Sequence, residues 1–115
     1  MSPLELPGVA DAASVEVPLE PVPAELVVAG RPLWGTAVLG EVDGAELGVW
    51  EHTPGETRDS EVEEIFVVIS GEARLSLPGG EELELRPGSV GRLAAGTHSR
   101  WLVTSTLRKV YLAWG

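Results

Sequence analysis

The spacing of glycine and proline is the feature that most constrains how this chain can fold. From residue 26 onward, short runs rich in Val, Leu, Ile and Trp end at Gly or Pro every eight to twelve residues. An amphipathic helix needs an apolar period of about 3.6 residues sustained over several turns, and no stretch of the chain shows one. The spacing is typical of short antiparallel strands, so we predict an all-β sandwich or barrel.

The clearest strand signal lies at residues 72–86. Apolar and polar residues alternate on both sides of the Pro-Gly-Gly sequence at residues 78–80, which predicts a β-hairpin whose leucines face the core. Residues 65–69 are apolar throughout, which indicates a strand covered on both faces at the centre of the core. Further strands are predicted at residues 45–53, 90–93, 98–103 and 107–114.

The amino-terminal residues have a different composition. Residues 1–25 contain five of the nine prolines, and proline lacks the N–H donor that a strand or helix interior needs. We therefore predict an extended Pro-rich arm at residues 1–25 and a single barrel domain at residues 26–115. Val15, Val17 and Leu19 alternate as in a short edge strand, and the arm is expected to wrap along the domain or a partner subunit.

The charge distribution limits the partners. Eight basic residues against eighteen acidic ones give a net charge of −10, which argues against binding to a phosphate backbone. Residues 85–115 carry five bases and no acid, so we expect the last strands to lie beside the acidic central ones. No apolar run approaches the roughly 20 residues of a membrane helix, and there is no cysteine. We expect a cytoplasmic protein without nucleic-acid or membrane partners.

Two stretches of the chain carry motifs of a known family. The segment EEIFVVISGEARL, in which Gly71 follows Glu64, resembles the second half of the first cupin motif. Residues 86–88 (Arg-Pro-Gly), followed by RLAAGTHSRW, resemble the second cupin motif. With GVWEHTPG and TLRKVYLAW, these segments resemble the small cupins related to ureidoglycine aminohydrolase over residues 26–115. The resemblance implies a cupin-type jelly-roll β-barrel of six to eight strands.

The resemblance also bears on metal binding. Metal-binding cupins place two histidines just before the motif glutamate, whereas residues 57–60 contain no histidine. We therefore expect no tightly held cofactor. If a divalent metal (Mn, Fe, Zn or Ni) is bound, its candidate ligands are His52, Glu64 and His98, because imidazole and carboxylate groups suit these ions. Strand alternation turns His52 to the same side as Trp50.

Glu64 is the candidate catalytic residue. A buried carboxylate without a metal needs a cationic or donor partner, for which Arg58, Arg100 and His98 are the expected candidates. Such a pair would act either in acid–base chemistry or as a polar brace inside the barrel, and the brace is the favoured interpretation. The candidate ligand-binding residues line the barrel or its mouth: Trp50, His52, Phe66, His98, Arg100 and Trp101.

Two other groups of charged residues bear on the predicted site. Asp59, Glu61 and Glu63 are predicted to form a solvated acidic loop, because clustered acids repel one another and hydrate. Arg108 and Lys109 are adjacent on a predicted strand, so at most one of them faces the interior.

Three functions stay open at this point. The favoured one is a cupin that binds a small organic molecule in its barrel. The resemblance implies a second, a metal-dependent (Mn-type) aminohydrolase-like enzyme acting on a ureide-like substrate. The third is a structural or regulatory module with a filled barrel. The sequence does not decide whether the protein is an enzyme. We expect a homodimer in which residues 10–25 add a strand across the two-fold axis.

Overall fold

Antiparallel strands account for most of the computed structural model, which describes residues 8–115. The strands are Glu20–Pro21 (β1), Val27–Ala29 (β2), Leu33–Val42 (β3), Ala45–His52 (β4), Gly55–Ser60 (β5), Glu63–Ser76 (β6), Glu82–Leu85 (β7), Val90–Leu93 (β8) and His98–Trp114 (β9). A 3-10 turn at Ala24–Leu26 precedes β2. Within residues 8–115 there is no helix whose length and apolar character would let it cross a membrane.

The 17-residue strand β9 organises the sheet. Its first half pairs with β5 on one side and with the second half of β6 on the other. Its second half pairs with β4 and with the first half of β6. Because both edges of β9 are paired along most of its length, the sheet curls around it. The result is the predicted cupin-type jelly-roll barrel, and acidic central strands lie beside the basic last strand as expected from the charge distribution.

Several strand predictions are confirmed and others need correction. The hairpin has the predicted pairing, with Ala73 opposite Leu85 and Leu75 opposite Leu83. The strands predicted at residues 98–103 and 107–114 are one continuous strand. The prediction that residues 65–69 are covered on both faces was wrong, because Ile65 and Val67 are 41% and 38% exposed. These two side chains lie on the outer surface of the barrel, where no element packs against them in the part of the chain described.

Strand β5 was missed in the sequence. Its residues, Gly55–Ser60, are almost entirely polar, so the strand carries no apolar alternation to detect. It forms because every pairing position from Gly55 to Ser60 is matched to β9. The inward-facing positions of β5 are therefore polar, which brings hydrogen-bonding groups into the barrel.

One end of the barrel is filled by apolar side chains. The largest buried members of this cluster are Phe66, Leu75, Trp101 and Leu107, each at most 1% exposed. Gly91 opposes Phe66 across β6 and β8, and a Cβ at this position would lie 2.3 Å from the phenyl ring. This part of the interior is therefore filled by its own side chains.

A second apolar cluster lies outside the barrel. Val17 packs with Ala37, Leu39 and Val49 on the outer face of β3 and β4, and Val15 borders the cluster. The segment is extended without forming the strand predicted around residues 15–19, and only Glu20–Pro21 pairs with β3. Residues 1–7 lie outside the described residues, and the proposed boundary at residue 25 stays a prediction.

Arg108 fastens this segment to the barrel. Its guanidinium pairs with Glu51 at 2.8 Å, and its Nη1 donates hydrogen bonds to the carbonyl oxygens of Ala12 and Val15 at 2.9 and 2.7 Å. The side chain is only 12% exposed. A partly buried, charge-assisted contact of this kind is stronger than an exposed surface bond, so it gives the extended segment a defined position.

We predict that Gly35→Ala disturbs the docking of residues 12–19. A Cβ at position 35 would lie 1.8 Å from the carbonyl oxygen of Pro18, so the segment must move away from β3. We expect the free energy of unfolding, measured in urea, to fall by about 1–3 kcal/mol, as for other overpacking substitutions. Val38→Ala is the matched control, because Val38 lies on the same strand and is 49% exposed. Equal stability of the Gly35→Ala variant and the unsubstituted protein would contradict the prediction.

Candidate functional site

A buried ion pair in an aromatic cage lies at the polar end of the barrel. The Lys109 Nζ is 2.5 Å from Glu64 Oε1, and the two side chains are 4% and 9% exposed. The same Nζ lies 4.5 to 4.7 Å from the ring centroids of Trp50, Phe66 and Trp101. The pairing of β9 with β4 and β6 positions these groups, because it sets Lys109 directly beside Trp50.

Burial and pairing act on the Glu64 carboxyl in opposite directions. Removal from water raises the pKa of Glu64, and the nearby Lys109 ammonium only partly offsets this effect. The three aromatic faces stabilise the ammonium through cation–π attraction, which is stronger away from water. The pair is therefore a matched unit, since either charge alone would be costly in this environment.

Glu61 forms a second buried polar cluster beside the ion pair. Its Oε2 accepts hydrogen bonds from Trp101 Nε1 at 3.0 Å and from the Ser99 hydroxyl. Its backbone is tied to the loop before β9, since its N–H donates to the Thr97 carbonyl and its carbonyl accepts from the Gly96 N–H, each at 2.8 Å. These contacts fix the Glu61 carboxylate at the wall of the barrel.

The prediction of a solvated acidic loop was wrong for two of its three residues. Glu61 is 8% exposed. Asp59 occupies an inward position of β5 and is partly buried, and burial raises the pKa of its carboxyl. Glu63 faces the outside and pairs with Arg92 at 3.3 Å. Strand β5 turns Asp59 toward the barrel, whereas the hydrogen bonds to Trp101 and Ser99 hold Glu61 inside.

A tyrosine and a further carboxylate complete the polar end. The Tyr111 hydroxyl donates a hydrogen bond to Glu46 Oε2 at 2.7 Å. Burial and the Glu46 carboxylate both raise the pKa of Tyr111, so the phenol keeps its proton. Gly48 makes room for this contact, since a Cβ there would lie 2.5 Å from the Tyr111 hydroxyl oxygen.

These groups surround a cavity of about 200 Å³. Its lining comprises Thr36, Glu46, Trp50, Asp59, Ser60, Glu61, Val62, Glu64, Trp101, Lys109, Tyr111 and Ala113. A wider space of about 580 Å³ adjoins it and shares Thr36, Trp50 and Asp59 with it. Trp34 and residues 18–20 form part of the wall of this outer space. We call the two spaces together the barrel mouth.

The structure brings four of the predicted site residues together. Trp50, Phe66 and Trp101 contact the Lys109 ammonium, which in turn binds Glu64. Phe66 belongs to the apolar cluster and lies beneath the ion pair. The roles assigned to these residues in binding or catalysis stay predictions.

His52 lies behind Trp50, away from the open cavity. The two ring centroids are 5.4 Å apart, and His52 is fully buried. Its Nδ1 donates to the Thr53 carbonyl at 2.7 Å, which leaves Nε2 to accept from the Thr57 hydroxyl at 2.9 Å. Burial is the main effect that lowers the pKa of His52. The His52 ring is therefore neutral, both of its nitrogens are hydrogen-bonded, and its bond to Thr57 links β4 to β5.

The three residues proposed for a metal do not fit one. His98 and Arg100 are exposed and alternate with the inward-facing residues of β9, so the imidazole points away from the barrel. Both nitrogens of His52 are hydrogen-bonded, and Glu64 is bonded to Lys109. Among residues 8–115, no three His, Cys, Asp or Glu side chains are grouped so that they could hold a metal ion.

The partner of Glu64 is the main residue that sequence reasoning missed. Arg58, Arg100 and His98 were the expected partners, and the structure shows Lys109 instead. The available signal was the alternation within residues 107–114, which places one of the two adjacent bases inward. The sequence could not determine which base it was, because either register leaves apolar residues on both faces of this strand.

We predict that Lys109→Met destabilises the protein in a pH-dependent way. Without the ammonium, burial of Glu64 is unopposed and its folded-state pKa rises further above the ordinary value of 4.5. The protonated acid tolerates burial, so the loss of stability is smallest below pH 4.5. It grows as the pH rises through the folded-state pKa and reaches about 3 kcal/mol near neutrality. Urea unfolding over a pH series measures this effect.

The double variant Glu64→Gln/Lys109→Met is the matched control, because it removes both charges of the pair. We expect its stability relative to the unsubstituted protein to vary much less with pH. A loss of stability in Lys109→Met that is the same at pH 4 and pH 8 would show that the lysine acts through packing alone.

Comparison with known proteins places this fold in a family. Residues 39–111 match the EutQ-like cupin domain family, whereas no curated protein matches the chain. A protein of unknown function of the DUF861 family from Pseudomonas syringae pv. tomato has a TM-score of 0.75 and 25% identity, covering 86% of this chain and 44% of its own. This chain thus spans less than half of that protein.

Two further solved structures share the fold. The Clostridium difficile EutQ protein has a TM-score of 0.63 and 17% identity, over 72% of this chain and 68% of its own. Ectoine synthase from P. lautus has a TM-score of 0.63 and 24% identity, over 69% and 62% of the two chains. The family match covers more than half of the sequence and agrees with the barrel described above. The chain therefore belongs to the EutQ-like cupin domain family.

Proposed function

We propose that the barrel mouth binds a small organic molecule that presents a positive charge or several N–H donors, such as an amine, an amidine or a ureide. The observation that carries this proposal is the charge of the inner cavity. Four carboxylates line it, from Glu46, Asp59, Glu61 and Glu64, and they face the single cation Lys109. Carboxylates accept hydrogen bonds and attract cations, so this lining disfavours an anionic ligand.

The aromatic lining supports the same kind of ligand. Trp34 and Trp50 line the outer space of the mouth, where a ligand would enter. Their faces attract cations and provide apolar contact area. The inner cavity of about 200 Å³ is small, so only the polar head of a ligand fits beside Glu64 and Asp59. We therefore expect a short molecule with its nitrogen group innermost.

Binding without a metal-dependent step is the activity that the geometry favours. A ureide is one of the ligand classes proposed here, which agrees with the resemblance to cupins related to ureidoglycine aminohydrolase. The Mn-type hydrolysis that this resemblance implies has no matching set of ligands in residues 8–115. A purely structural barrel is also disfavoured, because Phe66 and Leu75 fill only one end and the acidic cavity remains open at the other.

Isothermal titration calorimetry with n-butylamine, N-butylurea and butyrate tests the proposal. The three probes share an apolar chain and differ in their head group. We expect saturable binding of the amine and the urea, and none of butyrate. Asp59→Asn should weaken butylamine binding at least tenfold, because a charge-assisted hydrogen bond contributes about 1.5–3 kcal/mol.

Glu63→Gln is the matched control, since Glu63 is a neighbouring acid that faces outward and pairs with Arg92. This variant should bind butylamine like the unsubstituted protein. Butyrate binding as tight as butylamine binding, or an Asp59→Asn variant with unchanged affinity, would refute a mouth selective for nitrogen groups.

We further propose that the protein acts as a cytoplasmic homodimer. The outer face of β6 and β8 supports the dimer, because Ile65, Val67 and Val90 are exposed there at 41%, 38% and 71%. The Glu63–Arg92 pair flanks them and offers both charges to a second copy. Light scattering should give the mass of two chains, and Val67→Lys/Val90→Lys should give the mass of one. A single-chain mass for the unsubstituted protein would contradict the dimer.

A further inference from the structure

A second cavity, of about 700 Å³, adjoins strand β5 and the start of β9. Its apolar walls come from the 3-10 turn, from β2 and from the end of β6 with the following turn: Leu26, Val28, Leu77 and Pro78. The volume lies within the range of about 300–1,000 Å³ that is usual for small-molecule sites. Size and lining are therefore those of a site for a ligand with an apolar body.

Two arginines line this cavity side by side. Arg58 on β5 is the direct cross-strand partner of Arg100 on β9. Like charges at such a position destabilise an antiparallel pair. His98 lies on the same face of β9 two residues before Arg100, and the lining contains a single carboxylate, Asp59. Basic side chains thus dominate this cavity although the chain has a net charge of −10.

The charge of Arg58 is not compensated within the described chain. Arg100 pairs with Glu56 at 2.8 Å. The Arg58 Nε donates a hydrogen bond to the backbone carbonyl of Glu25 at 3.2 Å, which holds the side chain in place without neutralising it. Among residues 8–115, no carboxylate forms an ion pair with Arg58. Its terminal N–H groups remain for a ligand.

We propose that this cavity is a separate binding site for an amphipathic carboxylate, whose head binds Arg58 beside Arg100 and whose apolar chain lies against Leu26, Val28 and Leu77. A guanidinium binds a carboxylate through two parallel hydrogen bonds. One uncompensated arginine matches a ligand of single negative charge. The site shares Asp59 and Ser60 with the lining of the barrel mouth but has the opposite charge preference. It therefore goes beyond the function proposed above, and probes of opposite charge distinguish the two sites.

The test uses octanoate, octyl phosphate, 1-octanol and octylamine as probes with the full chain, followed by calorimetry and by amide chemical shifts. We expect octanoate to bind with one-to-one stoichiometry and at least tenfold more tightly than 1-octanol. The amides of Val28, Leu77 and Arg100 should shift, and octylamine should leave them unchanged. Octyl phosphate should bind no more tightly than octanoate. A clear preference for it would overturn the assignment of a carboxylate ligand.

Arg58→Gln should weaken octanoate binding at least tenfold, and Arg58→Lys should restore part of the affinity. Arg92→Gln removes an exposed arginine elsewhere on the surface and should not change octanoate binding. Equal affinity for octanoate and 1-octanol, or full affinity in a folded Arg58→Gln variant, would overturn the proposal. The proposal would also fail if Arg58→Gln converted a dimer into single chains. That result would show that a second copy of the chain, and not a small carboxylate, occupies the cavity.

Discussion

The functional end of this barrel depends on one buried ion pair, in which a lysine ammonium is enclosed by three aromatic rings and a carboxylate. Lys109 and Glu64 come from adjacent strands, and neither charge is tolerated alone in surroundings that exclude water. The pair therefore enforces the register of β6 against β9 at this level. A one-residue slip of β6 would turn Glu64 outward and leave Lys109 buried without its carboxylate.

The same pair separates the barrel into two chemically different halves. On one side of it, Phe66 and its neighbours form an apolar core that stabilises the fold. On the other side, carboxylates from β4, β5 and β6 converge with the hydroxyl of Tyr111 on a small open cavity. Burial of these polar groups does not destabilise the fold, because they are hydrogen-bonded. In the described residues, no buried side-chain nitrogen or oxygen lacks a hydrogen bond.

Much of the fold, and less of the site, could be predicted from the sequence. Strict alternation around residues 78–80 determined the hairpin, and the glutamate and glycine of the first motif located β6. Strand β5 was not predicted, because its inward-facing residues Thr57 and Asp59 give it no apolar alternation. Its pairing with β9 nevertheless places one wall of the cavity. The partner of Glu64 was not predicted for a different reason. Which of two adjacent bases faces inward is decided by tertiary packing around Lys109, which local patterns do not encode.

Arg108 and Lys109 are consecutive residues of β9, and their side chains lie on opposite faces of the strand. Lys109 fixes the interior, while Arg108 holds the extended amino-terminal segment against the outer surface. That segment continues directly into residues 18–20, which form one wall of the barrel mouth. Without its first twenty residues, the protein would lose that wall and the cover that Val17 gives to Leu39 and Val49, whereas the residues around Lys109 all lie on later strands. Its ligand selectivity would then be that of a shallower and more solvated opening.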